Sequence, residues 1–427
     1  ERRLLHLGGV VGRHGHLPED SVRLAVTTAR ELVDLAERVG CDRLYAVATS
    51  ALREAANGPE VVDLISRSIG TQVRVIDGLE EARLSFLGAQ ASIRLDDAPV
   101  TVLDLGGGSL EVASGLGPDL DTSTSHPLGV SRMHASLGVD EILDPGSRAR
   151  VEASVAEELD GLPPAAEQVI AVGGAVRALA RVTAKRAGAW LPDSTNHVRL
   201  GRTALEDALE ELAPIPAEAR VEEFGVGEGR SADLPVAAAI LIDTMSVLDI
   251  EALVVSDWGL RMGVLIDALD LPLPRGEEVW QRSAEALRRR FLADDPHPAH
   301  VADLVLELWA PLRHLHGLDD QRLRVVLVAA LLHDIGKSVS LDGHHRHSAY
   351  LTEHARLRGL EPPEEGRVGP PGQHVEHGRG QVGPVDLGLA MDPQPGSRVP
   401  QAQGPARARS SRPPRALLRR VPGNPLT

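Results

Sequence analysis

The chain is short of several residue types, and each shortage excludes something. Cys41 is the only cysteine among 427 residues. No intrachain disulfide framework can form, and a reducing, cytoplasmic setting is expected. Aromatic residues make up 2%, so any core must be assembled from Leu, Val, Ala and Ile. Lysine occurs only as Lys185 and Lys337; the Arg bias points to GC-rich coding sequence. No apolar run reaches the roughly 20 residues of a membrane helix, and no basic-then-apolar signal segment opens the chain. No membrane partner is therefore expected. Positive charge is also in deficit, with a formal net charge of -16. That balance argues against general nucleic-acid binding, although a local basic cleft would still suit a polyanion.

What stands out is Thr101 to Ser114, TVLDLGGGSLEVAS. A short apolar run ending in Asp104 reads as a buried strand, and Leu110 to Ala113 alternates like a second one. The spacing predicts a hairpin whose tip is Gly106, Gly107, Gly108 and Ser109. Such a turn is either simply tight or a concavity of backbone amides that holds an anion. It has neither the Lys-Ser/Thr ending of a P-loop nor the spacing of a dinucleotide fold.

The rest of the chain falls into segments. Residues 1–97 alternate helix and strand signals, which predicts an α/β unit: a helix from Ser21, as N-cap, through Val39, strands over 44–50 and 72–76, and helices over 60–69 and 80–92. Asp96-Asp97-Ala98-Pro99 marks a boundary. A second α/β unit is expected over 98–270, with the hairpin, helices near 147–160 and strands at 169–172 and 252–256. After a Pro-rich linker, 277–361 is helical. From 362 to 427 Pro, Gly and Arg dominate, predicting a disordered extension or an out-of-frame translation of GC-rich sequence.

Four more strand ends carry polar chemistry. Arg53 follows 46–50 and is either a solvated charge or a bidentate phosphate clamp. Glu80 and Glu81 open a helix, as partners of its dipole or, for one of them, as a base that orients water. Gly173 and Gly174 join a strand to a helix start suited to an anion. Ser256 to Gly263 repeats the theme. In an open α/β sheet such loops gather at one crevice.

Together, ATSALREAAN, GLEEARL, DLGGGSLE, AVGGAVRALA and SDWGLRMG resemble, in order and spacing from about Leu4 to Leu269, the exopolyphosphatase/guanosine pentaphosphate phosphohydrolase (Ppx/GppA) family. The resemblance implies two actin-like domains of the ribonuclease H-like, sugar kinase/Hsp70 superfold. It implies release of the terminal phosphate of polyphosphate or guanosine pentaphosphate with Mg²⁺ or another divalent cation. Carried over, Glu81 orients the attacking water and Arg53 grips phosphate. Asp104, Gly106, Gly107, Gly108 and Ser109 form the second phosphate loop, with Asp104 near the metal and Glu111 assisting. A homodimer is common in the family. The family opens with a strand and a first phosphate loop, Asp-x-Gly-x-Asn-Ser, whereas Glu1 to Gly8 resembles the stretch after that hairpin. Two or three strands, at about 5–6 residues each, are expected to be absent from this chain. The alternative implied is a family member that binds phosphorylated nucleotide or polyphosphate without turnover. Asp77 stands where the family usually has serine.

Leu331 to Lys337, LLHDIGK, resembles an HD-type domain, the all-α metal-dependent phosphohydrolase fold. The resemblance implies a divalent-metal site from His300, His333 and Asp334, cut short before its last helices. His344, His345 and His347 are further ligands or a polar loop.

Overall fold

The structure is a computed structural model. It describes residues 3–361 apart from 139–141, 190, 192–193 and 293–294, so the tail expected over 362–427 lies outside the described residues. The amino-terminal part contains α1 (Leu7–His14), α2 (Glu19–Arg38), β1 (Ala46–Ala48), α3 (Ser50–Glu54), α4 (Gly58–Ile69), β2 (Val73–Val75) and α5 (Gly78–Gln90). β1 and β2 pair in parallel, Ala46 opposite Val73, as a two-stranded sheet. α2 begins earlier than expected. Pro18, not Ser21, is its N-cap, because the fixed φ of proline suits a helix entry and Glu19 and Asp20 favour the positive end of the dipole.

The central part holds a six-stranded sheet in the order β5-β4-β3-β6-β8-β7. Its strands are β3 (Val100–Leu105), β4 (Leu110–Leu116), β5 (Asp119–His126), β6 (Gln168–Val172), β7 (Arg199–Gly201) and β8 (Ala252–Val255). β3, β6 and β8 run parallel; β3-β4-β5 is an antiparallel meander. The expected hairpin is present, with Leu105 opposite Leu110 across the glycine turn. The helices are α6 (Val130–Leu137), α7 (Pro145–Glu158), α8 (Gly174–Arg186), α9 (Arg202–Leu212), α10 (Ala217–Phe224), α11 (Glu228–Ser231), α12 (Leu234–Val247) and α13 (Leu260–Ala268). Residues 234–245 of α12 are all buried, as expected of a helix that is apolar all round. The largest core packs one face of this sheet against α7, α8, α9 and α12.

α5 covers the opposite face. Ala82, Phe86 and Ala89 pack with Val100, Val102 and Ile170. α5 also crosses α13 at van der Waals distance. A Cβ on Gly263 would lie 1.8 Å from the carbonyl oxygen of Leu84, so only glycine permits this approach. That crossing fixes Glu81, one turn from the start of α5, over the end of β3.

A helical part follows, with α14 (Glu278–Phe291), α15 (His297–Trp309), α16 (Arg313–His316), α17 (Asp320–Leu332), a 3₁₀ turn (Ile335–Ser338) and α18 (His344–Glu353). Trp280, Val328, Leu332 and Ile335 centre its own core.

Candidate active site

The chemistry gathers where β3 ends. Gly106 to Ser109 closes on itself through a bond from the Gly106 amide to the Ser109 carbonyl, 3.0 Å. The start of α6 braces it: the Val130 amide donates to Gly106 O (3.1 Å) and the Arg132 amide to Gly107 O (3.0 Å). The outer side of the turn is pressed against α3, since a Cβ on Gly108 would stand 2.1 Å from Ser50 Oγ.

The turn borders a cleft of about 530 Å³ whose walls include Glu81, Asp104, Gly106 to Ser109, Gly173 and Gly174. With Thr49 to Ala51, Asp257 and Gly259 to Arg261 also in its walls, all five strand-end segments noted in the sequence share one space. Arg53 is set just beyond it. Its Nη1 donates to Ile76 O (2.8 Å) and to Glu81 Oε2 (3.3 Å), while its guanidinium lines a second cavity of about 460 Å³ across the turn. Glu111 lines neither cavity. It is 2% exposed, lies directly opposite Asp104 in the β3–β4 ladder, and accepts a hydrogen bond from Ser125 Oγ at 2.8 Å.

Two adjacent carboxylates at the start of α5 part company here. Glu80 pairs with Arg74 on the surface, and Asp77 caps the helix by accepting from the Glu80 amide at 2.8 Å. Glu81 instead turns inward and is 8% exposed. Three carboxyls therefore crowd together, and like charges facing each other across strands are unfavourable. Burial and the neighbouring Asp104 push Glu81 above the usual carboxylate range, against the pull of Arg53 and Thr49. Burial raises Asp104 as well, against Ser85, which donates to it, and Arg177. Burial, then Glu81, then Asp104 push Glu111 up to about 8.

The cleft has polar walls that sequence reasoning did not single out. Arg177, in the first turn of α8, donates from Nη1 to Asp257 O at 3.0 Å. Burial, and the like charges of Arg230 and Arg261, pull its guanidinium below the ordinary arginine value. Asp257 is fixed by Ser194 Oγ (2.9 Å) and Thr195 Oγ1 (2.7 Å). Arg177 and Arg261 sit inside the AVGGAVRALA and SDWGLRMG stretches and were findable there. Arg230 comes from α11, which carries no comparable pattern.

The family model of the Ppx/GppA phosphatase family matches residues 1–271, and that of its domain III matches 279–369. The chain belongs to the Ppx/GppA phosphatase family. It is 29% identical over 268 residues to exopolyphosphatase 1 of Mycobacterium leprae, covering 60% of this chain and 77% of that protein. Against exopolyphosphatase 1 of Mycobacterium tuberculosis the figures are 29% over 281 residues, 62% and 78%. The crystal structure of the Aquifex aeolicus Ppx/GppA family member superposes with a TM-score of 0.54 at 27% identity, covering 62% of this chain and 87% of that one. The α/β architecture is thus that of actin-like Ppx/GppA proteins. No helix among the described residues is long and apolar enough to cross a membrane.

Within the matched domain III, ligand atoms of His297, His333 and Asp334 all lie within 4.8 Å of one another. His300 is not part of this group. It is one turn further along α15, and the cluster takes the histidine at the first position of the helix. His344 Nε2 is 3.4 Å from Asp334 Oδ1, and Lys337 donates to Asp334. Burial works against the charged Asp334, but the Lys337 hydrogen bond and the nearby His333, Lys337 and His344 outweigh it and hold the carboxyl below its ordinary value. His345 and His347 stand on α18 outside the cluster.

Proposed function

We propose that the chain releases the terminal phosphate of inorganic polyphosphate, guanosine pentaphosphate or both by attack of water. The observation that carries this reading is the convergence of Glu81, Asp104, the glycine turn and the start of α8 on one cleft. Similarity to proteins named exopolyphosphatase supports the substrate class. The turn amides and the α8 amino end suit phosphoryl oxygens. Arg53 supplies a planar fork for one more oxygen. Glu81 accepts the proton of the water that attacks phosphorus, while the bridging P–O bond breaks and its electron pair leaves with the shortened chain. A carboxyl raised above its usual range is better matched to that proton near neutral pH than an ordinary one.

The donor set fits a divalent cation, Mg²⁺ among them. Asp104 and Glu111 are hard oxygen donors, and the guanidiniums of Arg53 and Arg177 leave all three crowded carboxyls raised. Asp104, assisted by Glu111, would hold the ion, which when bound neutralises charge on phosphoryl oxygens. In domain III, His297, His333 and Asp334 form the donor group proposed for a second divalent metal of the HD type.

Orthophosphate release from polyphosphate and from guanosine pentaphosphate, measured with Mg²⁺, tests the reading. Glu81→Gln is expected to lower kcat about 10²–10⁴-fold with KM little changed. Undiminished release by that variant removes Glu81 from the reaction.

A further inference from the structure

We propose that the second cavity, on the far side of the glycine turn, is a phosphate subsite gripped jointly by Arg53, Arg132 and the amino end of α5. The proposal rests on the reading of the neighbouring cleft as a phosphohydrolase site. The cavity, of about 460 Å³, shares Gly108 and Ser109 with that cleft and is otherwise lined by different residues.

Its chemistry is that of an oxyanion hole with two cations. Gly78 and Leu79, the first residues of α5, form part of its wall. Amides at the start of a helix have no partner within it, and the dipole of a 13-residue helix adds positive potential there. Arg53 presents its second amino group to this side: Nη2 lies 4.0 Å from where a Cβ on Gly78 would stand. Arg132 is anchored from the turn, its Nε donating to Gly108 O at 2.7 Å. Ser109 and Ser125 complete the wall, their side chains being bonded to Glu111 behind it.

Charge supports the same conclusion. Burial and the like charge of Arg53 both pull the Arg132 guanidinium below its ordinary value. Two guanidiniums repelling each other across a cavity are relieved when a tetrahedral anion sits between them. Glu54 also lines the cavity, but it accepts from Ser50 Oγ (2.8 Å) and from Arg132. His126, on the same wall, has its pKa lowered by burial although Glu158 lies 3.9 Å away. The balance at the lining remains positive.

The occupant is a phosphate group, either a further phosphoryl of the substrate or the orthophosphate released from it. The test uses the full chain and two variants. Leu79→Glu puts a carboxylate at the mouth from a position that is 56% exposed, so it disturbs little packing and no hydrogen bond named above. Arg132→Lys keeps the charge and loses the fork. Titration of tripolyphosphate and of orthophosphate without divalent metal is expected to show at least ~10-fold weaker binding of one or both anions by Leu79→Glu, and a smaller loss by Arg132→Lys. If the occupant is a substrate phosphoryl, KM for polyphosphate rises while inhibition by orthophosphate stays unchanged. If it is the product, orthophosphate inhibition weakens while KM stays. Wild-type affinity for both anions in both variants overturns the proposal. A wild-type chain that releases no phosphate defeats the reading of the main cleft instead, and the titrations still decide the subsite.

Discussion

Glu111 offers the most quantitative test of the carboxylate cluster. Its carboxyl binds a proton at about 8 in the fold against an ordinary 4.5. The sign follows from linkage. A raised carboxyl favours the folded state while it is protonated, so its contribution is complete below 4.5 and is lost as pH climbs to about 8. That span of about 3.5 pH, at about 1.4 kcal/mol for each, sets a ceiling of about 5 kcal/mol. Glu81 and Asp104 draw on the same protons, so one substitution is expected to recover about 2–4 kcal/mol of it. Glu111→Gln keeps the side chain's shape and leaves an acceptor for Ser125 Oγ while removing the charge. Urea unfolding with a chelator present should show the variant about 2–4 kcal/mol more stable than wild type at pH 9, with the gap closing near pH 5. Adding Mg²⁺ should narrow the gap at pH 9 by stabilising only the wild type. A variant no more stable than wild type at pH 9, or a gap indifferent to pH, would refute the reasoning.

Two further outcomes are expected. Gly108→Ala sets a methyl 2.1 Å from Ser50 Oγ and 2.9 Å from Ser50 Cβ, so the turn must move. Stability should fall by about 1–3 kcal/mol and kcat/KM by about 10²-fold or more; unchanged kinetics would mean that the turn's amides do not act on phosphate. In domain III, Mn²⁺ titration should show a site that His297→Ala and Asp334→Asn abolish and His300→Ala leaves intact. Loss of the site in His300→Ala alone would reverse that assignment.

Much of the site could be recognised in the amino-acid sequence because its parts are strand ends, where an apolar run stops abruptly at Gly, Asp or Ser. The DLGGGSLE hairpin and the VGG turn are of this kind, and both lie in the cleft. What escaped notice has physical reasons. β5, DLDTSTSH, is a half-exposed edge strand with no buried alternate face, so its hydropathy carries no period of two. Its Ser125 nevertheless holds Glu111. Arg132 and Arg230 lie on helices whose patterns describe packing, not the end that meets the cleft. His297 and His300 are both on α15, three residues apart, and only the entry angle of the helix decides which one faces Asp334.

The bond between Lys337 and Asp334 also leaves a mark that chemistry can follow. The chain has only one other lysine, Lys185, whose ammonium is bound to the Glu223 carbonyl at 2.6 Å. An amine-selective acylating reagent therefore has two side chains to choose between, in different domains. A metal ion that takes over the Asp334 carboxylate frees Lys337 for acylation, so peptide mapping after brief labelling registers occupancy of domain III at Lys337, with Lys185 as the internal reference.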